Sequence, residues 1–456
     1  LALVNDKMTE KEREAIINKE IQKIQEENNE GGKYTVSVRP FFQGNEYYYF
    51  VYQDFTDVRL VGTPPESIGK FGGDTDNWEW PRHTGDFAMF RVYTDKEGNP
   101  AEYSKDNIPM QPKHHLPMSI SGYQENDFAM ILGYPGRTNR WMPAGGIEQN
   151  VKFAYPAWVE GAKTAMDVMK KHMNQYEKVN LQYASKYAST ANYWKNRQGM
   201  IDALTKFKTS SKKAEEENKF NKWANKSANK AKYGNVVSTI NNYYSAKKEK
   251  SSQDSYLMQL IRTSSFAAMP ANVGNRLLKY YNEPNNRAAL KPQLLEMVNY
   301  YFDEFYLPLE IEVYAAQLNL YTNKSKDISP LLSDLKAKNS VFDKVAYEAA
   351  HNSIFSSKER VLAFIENPAQ DVISGDQLYM MSADIMTKYR FKSDEFQILE
   401  NDFLKSFRLL VEGLRESKLN KIQYPDANST LRLTYGKVRA LPTDSRNDAK
   451  VNNFTT

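Results

Sequence analysis

Phe128-Ala129-Met130-Ile131-Leu132, followed at once by Gly133-Tyr134-Pro135-Gly136, is where the chain changes character. A short apolar run closed by glycine and proline has the length and punctuation of a strand and its turn. Everything upstream of it reads as β-structure, apart from an opening helix. Tyr34, Val36 and Val38 alternate with polar residues, and Tyr47, Tyr49 and Val51 repeat the same period of two. Asp57–Val61 and Phe87–Tyr93 are further short β-type runs, set apart by Gly, Pro, Asn and Asp. Strands so short and so spaced point to a barrel or a sandwich. Residues 7–30 read as a surface helix, with a capping-box pattern at Thr9 and Glu12, isoleucines 17, 21 and 24 at helical spacing, and Gly31-Gly32 as its stop.

Downstream of Gly136 the composition turns to helix formers. From about Ala154 to Leu419, Ala, Lys, Glu, Gln, Leu and Met dominate, in segments such as Ala162–Met173, Lys213–Lys232, Leu294–Leu307 and Glu395–Leu419. Loop clusters at Asn282–Asn286 and Asn323–Pro330 divide them. Ser429–Val438 then alternates like a strand again. The order β, long helical block, β is most simply a helical domain inserted into a β domain. The expected divisions are 1–150, 151–419 and 420–456.

A chain of 456 residues is long for one domain, so two or three packed units are expected. Thirty tyrosines and 22 phenylalanines favour extended binding surfaces or broad aromatic cores. The net charge of +5 is spread out. Its richest basic stretch, Lys206 to Lys250, is interrupted by Glu215-Glu216-Glu217, which reads as a solvated helix face and not as a nucleic-acid surface. No run approaches the ~18 apolar residues of a membrane helix. Cysteine is absent, which removes disulfides, thiol catalysis and cysteine–zinc sites. Leu1-Ala2-Leu3-Val4-Asn5-Asp6 has no initiating methionine and no basic segment ahead of an apolar one, so it reads as a start in mid-chain and not as a signal peptide.

The densest chemical signal is Phe71-Gly72-Gly73-Asp74-Thr75-Asp76-Asn77-Trp78-Glu79-Trp80-Pro81-Arg82-His83-Thr84-Gly85-Asp86-Phe87. Glycines admit backbone shapes closed to other residues, and Asn and Asp hydrogen-bond their own backbone, so this is a structured loop entering a strand at Phe87. Its carboxylates, histidine and indoles exceed what a connecting loop requires, and the residues leave two readings, a ligand or active site and a rigid packing loop.

This run resembles the hallmark of the bacterial dipeptidyl-peptidase 7/11 family of serine peptidases. The resemblance continues through Asn99-Pro100-Ala101-Glu102-Tyr103-Ser104, Gly133-Tyr134-Pro135-Gly136-Arg137-Thr138, Tyr187-Ala188-Ser189-Thr190-Ala191-Asn192-Tyr193-Trp194-Lys195 and the block from Tyr424 to Val438, in the family's order. It implies an α+β fold, chymotrypsin-like antiparallel β-barrel portions with a large inserted all-α domain. It implies that Asp86 is the triad aspartate, which fixes a histidine tautomer and stabilises the imidazolium. It implies that Asn77, Trp78 and Asn192 grip the free N-terminal amine of the substrate, with the helical domain roofing the cleft so that dipeptides are released.

The resemblance further implies a triad histidine upstream of Leu1 and a nucleophilic serine downstream of Thr456. No Gly-x-Ser-x-Gly or Gly-Asp/Asn-Ser-Gly occurs in the chain, so the polypeptide 1–456 alone is expected to be inactive. Oligopeptides are the expected substrates, with no cofactor, no metal, no nucleic acid and no membrane span. A homodimer is compatible with the resemblance, as is a periplasmic or cell-surface location.

Weaker signals are read as structural. His83, three residues before Asp86, suits a turn hydrogen bond better than a general base. His114-His115, read on a strand, point to opposite faces and carry no ligand spacing, and His172 and His351 read as surface or boundary residues. Asp74 and Asp76 suit backbone capping better than glycoside hydrolysis, and Trp78 and Trp80 suit a cleft wall. The residues therefore leave two functions: a serine exopeptidase that releases N-terminal dipeptides, and a non-catalytic surface protein binding peptide or glycan through an aromatic cleft.

Overall fold

The computed structural model describes residues 1–71, 84–419 and 424–439. The chain forms two compact units, one comprising Leu1–Met142, Lys219–Val236 and Asn401–Thr456, the other Pro143–Asn218 and Val237–Glu400. Residues 219–236 and 401–419, helical by pattern, belong with the strand-bearing unit.

That first unit opens on the helix Glu10–Asn28. Its capping box is complete: the Glu12 backbone N–H donates to Thr9 Oγ1 (3.2 Å) and the Thr9 N–H donates to Glu12 Oε2 (2.9 Å). Strands β1 (Thr35–Phe41) and β2 (Glu46–Tyr52) then pair antiparallel, Val36 opposite Val51 and Val38 opposite Tyr49. The turn between them carries Phe42, Gln43 and Gly44 at positive φ. At Gly44 (φ +82°) a Cβ would also meet Tyr47 Oη at 3.1 Å, so glycine suits the position. β3 (Val58–Gly62), β4 (Met89–Thr94) and β5 (Ile108–Pro109) form a second antiparallel sheet. β6 (Phe128–Gly133) and β7 (Arg432–Lys437) form the third, Phe128 opposite Lys437 and Gly133 opposite Arg432. Among the described residues these sheets have two or three strands each and none closes on itself.

Polar anchors tie the first unit together. The buried Arg408 guanidinium reaches Glu10 (2.9 Å) and Asp6 (3.2 Å), and its backbone carbonyl accepts from Asn45 Nδ2 (2.9 Å). Arg415 lies 3.6 Å above the Phe42 ring and pairs with Glu46 (2.6 Å). Phe42 meets the edge of Trp141, which is 1% exposed and donates its indole N–H to the Tyr424 carbonyl.

The second unit is helical throughout its described elements. Helices Tyr155–Gln175 and Glu177–Lys206 are joined at Tyr176 and fold back on each other, burying Ala165, Met169 and Met173 against Val179 and Tyr183. Leu309 and Val313, from the helix Leu307–Lys324, complete that core. A larger core gathers Leu257, Leu260, Phe266, Tyr314, Leu318 and Ile385. Of the expected helices, one is divided in two and one stops short. Lys213–Lys232 breaks between Ala224 and Ser227, and Leu294–Leu307 ends at Asp303 before a new helix starts at Leu307 with Pro308 in its first turn. Among the described residues no helix is long and apolar enough to cross a membrane.

Candidate active site

Asp86 lies three residues ahead of β4, on the loop that delivers that strand to β3. The loop is tied to the short helix Glu66–Gly69 by Gly85, whose N–H donates to the Ile68 carbonyl (3.1 Å). A Cβ at position 85 would come within 3.1 Å of Ile68 Cγ2, so a small residue keeps this bend tight. Asp86 is exposed, and among the described residues no histidine pairs with it. Asn77 and Trp78 lie outside the described residues, as do Asp74, Asp76, Trp80 and His83.

A second carboxylate in the same sheet, Asp57, escaped the sequence reading. It is 2% exposed and takes a fork of bonds from Arg59, Nε to Oδ1 at 2.9 Å and Nη2 to Oδ2 at 2.7 Å, with Asn107 Nδ2 adding a third at 2.8 Å. Those donors, Arg59 first, hold its carboxyl down to about 2. Arg59 in turn lies 3.7 Å over the Tyr93 ring and 4.9 Å over Tyr103. A carboxylate committed to three donors is a brace and not a proton carrier. Its one sequence signal is the i, i+2 spacing of Asp57 and Arg59 on a strand face.

The structure also brings two distant sequence blocks together within the first unit. Asp426 Oδ1 accepts from Thr138 Oγ1 (2.7 Å) and from the Arg140 N–H (2.6 Å), while the Ala427 N–H donates to Thr138 Oγ1 (2.9 Å). Together with the β6–β7 ladder these bonds shape a cleft of about 780 Å³, walled by Tyr134, Arg140, Tyr424, Arg432 and Leu433.

Asn192 is half-buried in the second unit, deep inside the helix Glu177–Lys206. Its neighbour Tyr193 lies under Arg262 (4.9 Å), which also reaches the Trp158 ring (5.6 Å). Arg197, one turn on, covers Trp158 (5.6 Å) and Tyr155 (4.9 Å) from its own side. Lys186, Ser189, Tyr193 and Arg262 line a crevice of about 90 Å³. The two arginines were not singled out by sequence, where a Tyr193/Arg197 i, i+4 pair looks like any helix surface. Asp86 and Asn192 thus sit in different units.

One histidine expectation narrows and another changes. His172, expected at a surface or boundary position, lies at the buried end of that range: it is 8% exposed and its Nε2 lies 2.8 Å from Glu312, which also pairs with Lys171 (2.7 Å). His114 and His115 lie on irregular backbone and not on a strand, both exposed, with ring centres 6.4 Å apart. Among the described residues no cluster of His, Asp and Glu could hold a metal ion.

The sequence pattern of the peptidase S46 family matches residues 2–456. The chain belongs to that family. Among relatives of this S46 chain, the dipeptidyl-peptidase 7 of Capnocytophaga gingivalis is 52% identical, over 100% of this chain and 64% of its own length. The Asp/Glu-specific dipeptidyl-peptidase of Flavobacterium psychrophilum is 34% identical, over 88% of this chain and 57% of its own. The crystal structure of Porphyromonas endodontalis DPP11 in complex with the dipeptide Arg-Glu superposes with a TM-score of 0.82 at 30% identity, covering 93% of this chain and 61% of that one. The S46 chain therefore spans about three fifths of the length of these relatives, and the α+β class expected from the resemblance stands.

Proposed function

We propose that the protein carrying this chain is a serine dipeptidyl-peptidase that releases dipeptides from the free N-terminus of oligopeptides. The observation that carries this is the match, over the whole of the chain, to a dipeptidyl-peptidase 7 at 52% identity. In this reading Asp86 is the triad carboxylate. Its exposure leaves both oxygens able to accept from an imidazole, and the Gly85–Ile68 tie limits the loop's freedom. A carboxylate so placed fixes the histidine tautomer and stabilises the imidazolium that forms as the nucleophile loses its proton. Asn77, Trp78 and Asn192 hold the substrate ammonium. An ammonium leaving water needs several acceptors, and the side-chain carbonyls of the two asparagines, with a backbone carbonyl beside Trp78, supply them without adding a counter-charge. The non-catalytic binder has no specific observation in its favour.

The test is hydrolysis of matched peptides, one with a free and one with an acetylated N-terminus. The protein carrying this chain should release dipeptides from the free peptide and leave the acetylated one intact, and a serine-directed phosphonate should stop it. Cleavage of both peptides at equal rates would overturn the proposal. The same reading puts the protein in the periplasm or at the cell surface, which fractionation of the producing bacterium would check.

A further inference from the structure

The helix that carries Asn192 is anchored, one and a half turns upstream, by a carboxylate that has no access to solvent. Glu310 is 0% exposed in the first turn of the helix Leu307–Lys324. Its Oε1 accepts from Tyr183 Oη and Lys186 Nζ, both at 2.9 Å, and its Oε2 accepts from the Ser265 N–H at 3.0 Å. Tyr183 Oη itself accepts from the Tyr306 N–H (2.9 Å), so the phenol closes a ring of bonds. Burial first, and then the Glu310 charge, push the Tyr183 phenol far above its ordinary value, which keeps it a donor. Around the network lie Val179, Leu309 and Val313, an apolar setting in which hydrocarbon side chains would pack without desolvating any charge.

A buried ion pair is a poor way to gain stability, since apolar residues of similar volume often do as well or better. What it contributes here is direction. Tyr183 and Lys186 lie three residues apart on one helix, and both must point at a single oxygen, which fixes the rotation and the axial position of that helix together. Asn192 is six residues beyond Lys186, about 9 Å along the axis, on the same rigid element. We propose that Glu310 is a positioning residue for Asn192, setting where its amide meets the substrate N-terminus; this rests on the reading of Asn192 as an ammonium ligand. A misplacement of about 1 Å at a binding group is enough to cost on the order of a hundredfold in rate, so small rotations of the helix matter.

The experiment measures kcat and KM for a free dipeptidyl substrate, alongside thermal melts, for Glu310→Gln, Tyr183→Phe, the double variant Glu310→Gln/Lys186→Met, and Asn192→Ala. Glu310→Gln should lower kcat/KM by about ten- to a hundredfold, chiefly through KM. Tyr183→Phe, which removes one hydroxyl and leaves the packing, should lower it by a smaller factor, and it decides the matter if Glu310→Gln fails to fold. The double variant, which removes both charges, should recover the melting temperature without recovering KM. If KM recovers together with the melting temperature, or if the folded single variants keep the wild-type KM, Glu310 only holds the fold and the inference is overturned. If Asn192→Ala itself leaves KM unchanged, the ammonium reading fails and the inference falls with it. If Asn192→Ala raises KM and the Glu310 and Tyr183 variants do not, the inference alone fails.

Discussion

Asn192→Ala separates catalysis from stability. The residue lies about four turns from either end of a helix running from Glu177 to Lys206, so no cap depends on it. Alanine is the better helix former by a few tenths to about 0.7 kcal/mol, which works against what the half-buried side chain gives up. The melting temperature should therefore shift little in comparison with the loss of activity. Its amide carbonyl, however, is assigned a hydrogen bond to a substrate ammonium, worth roughly 1.5–3 kcal/mol as a charge-assisted bond. Losing it should depress kcat/KM about ten- to a hundredfold for a free N-terminal substrate. Steady-state kinetics and a thermal melt on the same preparation read both effects at once. A loss below about twofold, the scale of an ordinary surface substitution, would refute the assignment. So would a fall in melting temperature parallel to the fall in activity, since that would make Asn192 a structural residue.

Asp86→Asn, on an exposed loop position, should leave the melting temperature unchanged while lowering turnover by on the order of 10⁴; a variant within tenfold of wild type would show that the triad carboxylate lies elsewhere. The Asp57–Arg59 fork predicts a pH signature. The carboxyl sits below its ordinary value when folded, so the stability it supplies is in place above about pH 4 and is lost as the pH falls toward about 2. The melting temperature of wild type should therefore drop more steeply than that of Asp57→Asn over that interval, and parallel curves would remove Asp57 as an acid-sensitive brace. In the free-against-acetylated comparison, which the wild type decides by leaving the acetylated peptide intact, Asn192→Ala should narrow the preference for the free peptide by slowing its cleavage; an unchanged rate on the free peptide would point away from the N-terminus.

Local grammar accounts for most of what could be seen in advance. Thr9 and Glu12 are three residues apart and satisfy each other's donors, so their helix start is written in four residues. The alternation in Thr35–Phe41 and Glu46–Tyr52 is likewise local, with only a short turn between the strands. The breaks inside expected helices are subtler. Asn225 turns its amide back onto the Asn221 carbonyl, and Asn229 onto that of Trp223, offering the backbone partners that end one helix and start another. Apolar spacing runs on through that stretch regardless, and a reading by period alone passes over the break. β6 and β7 were each legible as strands, but their pairing was not. The ladder joins Phe128 to Lys437 across the whole helical block, and nothing in either strand names its partner.

The candidate site divides along the same line, for a chemical reason. The stretch from Gly72 to Asp86 gathers carboxylates, a histidine and indoles in one short loop and looks unusual even in isolation, whereas the block around Asn192 stands out only through the family resemblance. Residues that hold those groups in place need only meet a partner, and the partner can come from anywhere in the chain. Glu310 reads as one more acidic residue of a helical Pro-Leu-Glu-Ile-Glu-Val run, two positions from Glu312, which remains partly solvated and pairs with Lys171 and His172. What separates the two glutamates is depth: one, with no solvent access, meets two side chains of the Asn192 helix in a closed apolar setting, and the other, partly solvated, meets Lys171 and His172. Depth is a property of the folded chain and has no local spelling. A substitution at Glu312 removes a partly exposed pair with Lys171 and a partner of the buried His172, which bears on stability, whereas on our proposal the same change at Glu310 also reorients the helix that carries Asn192, and melts with kinetics on the two variants would tell them apart.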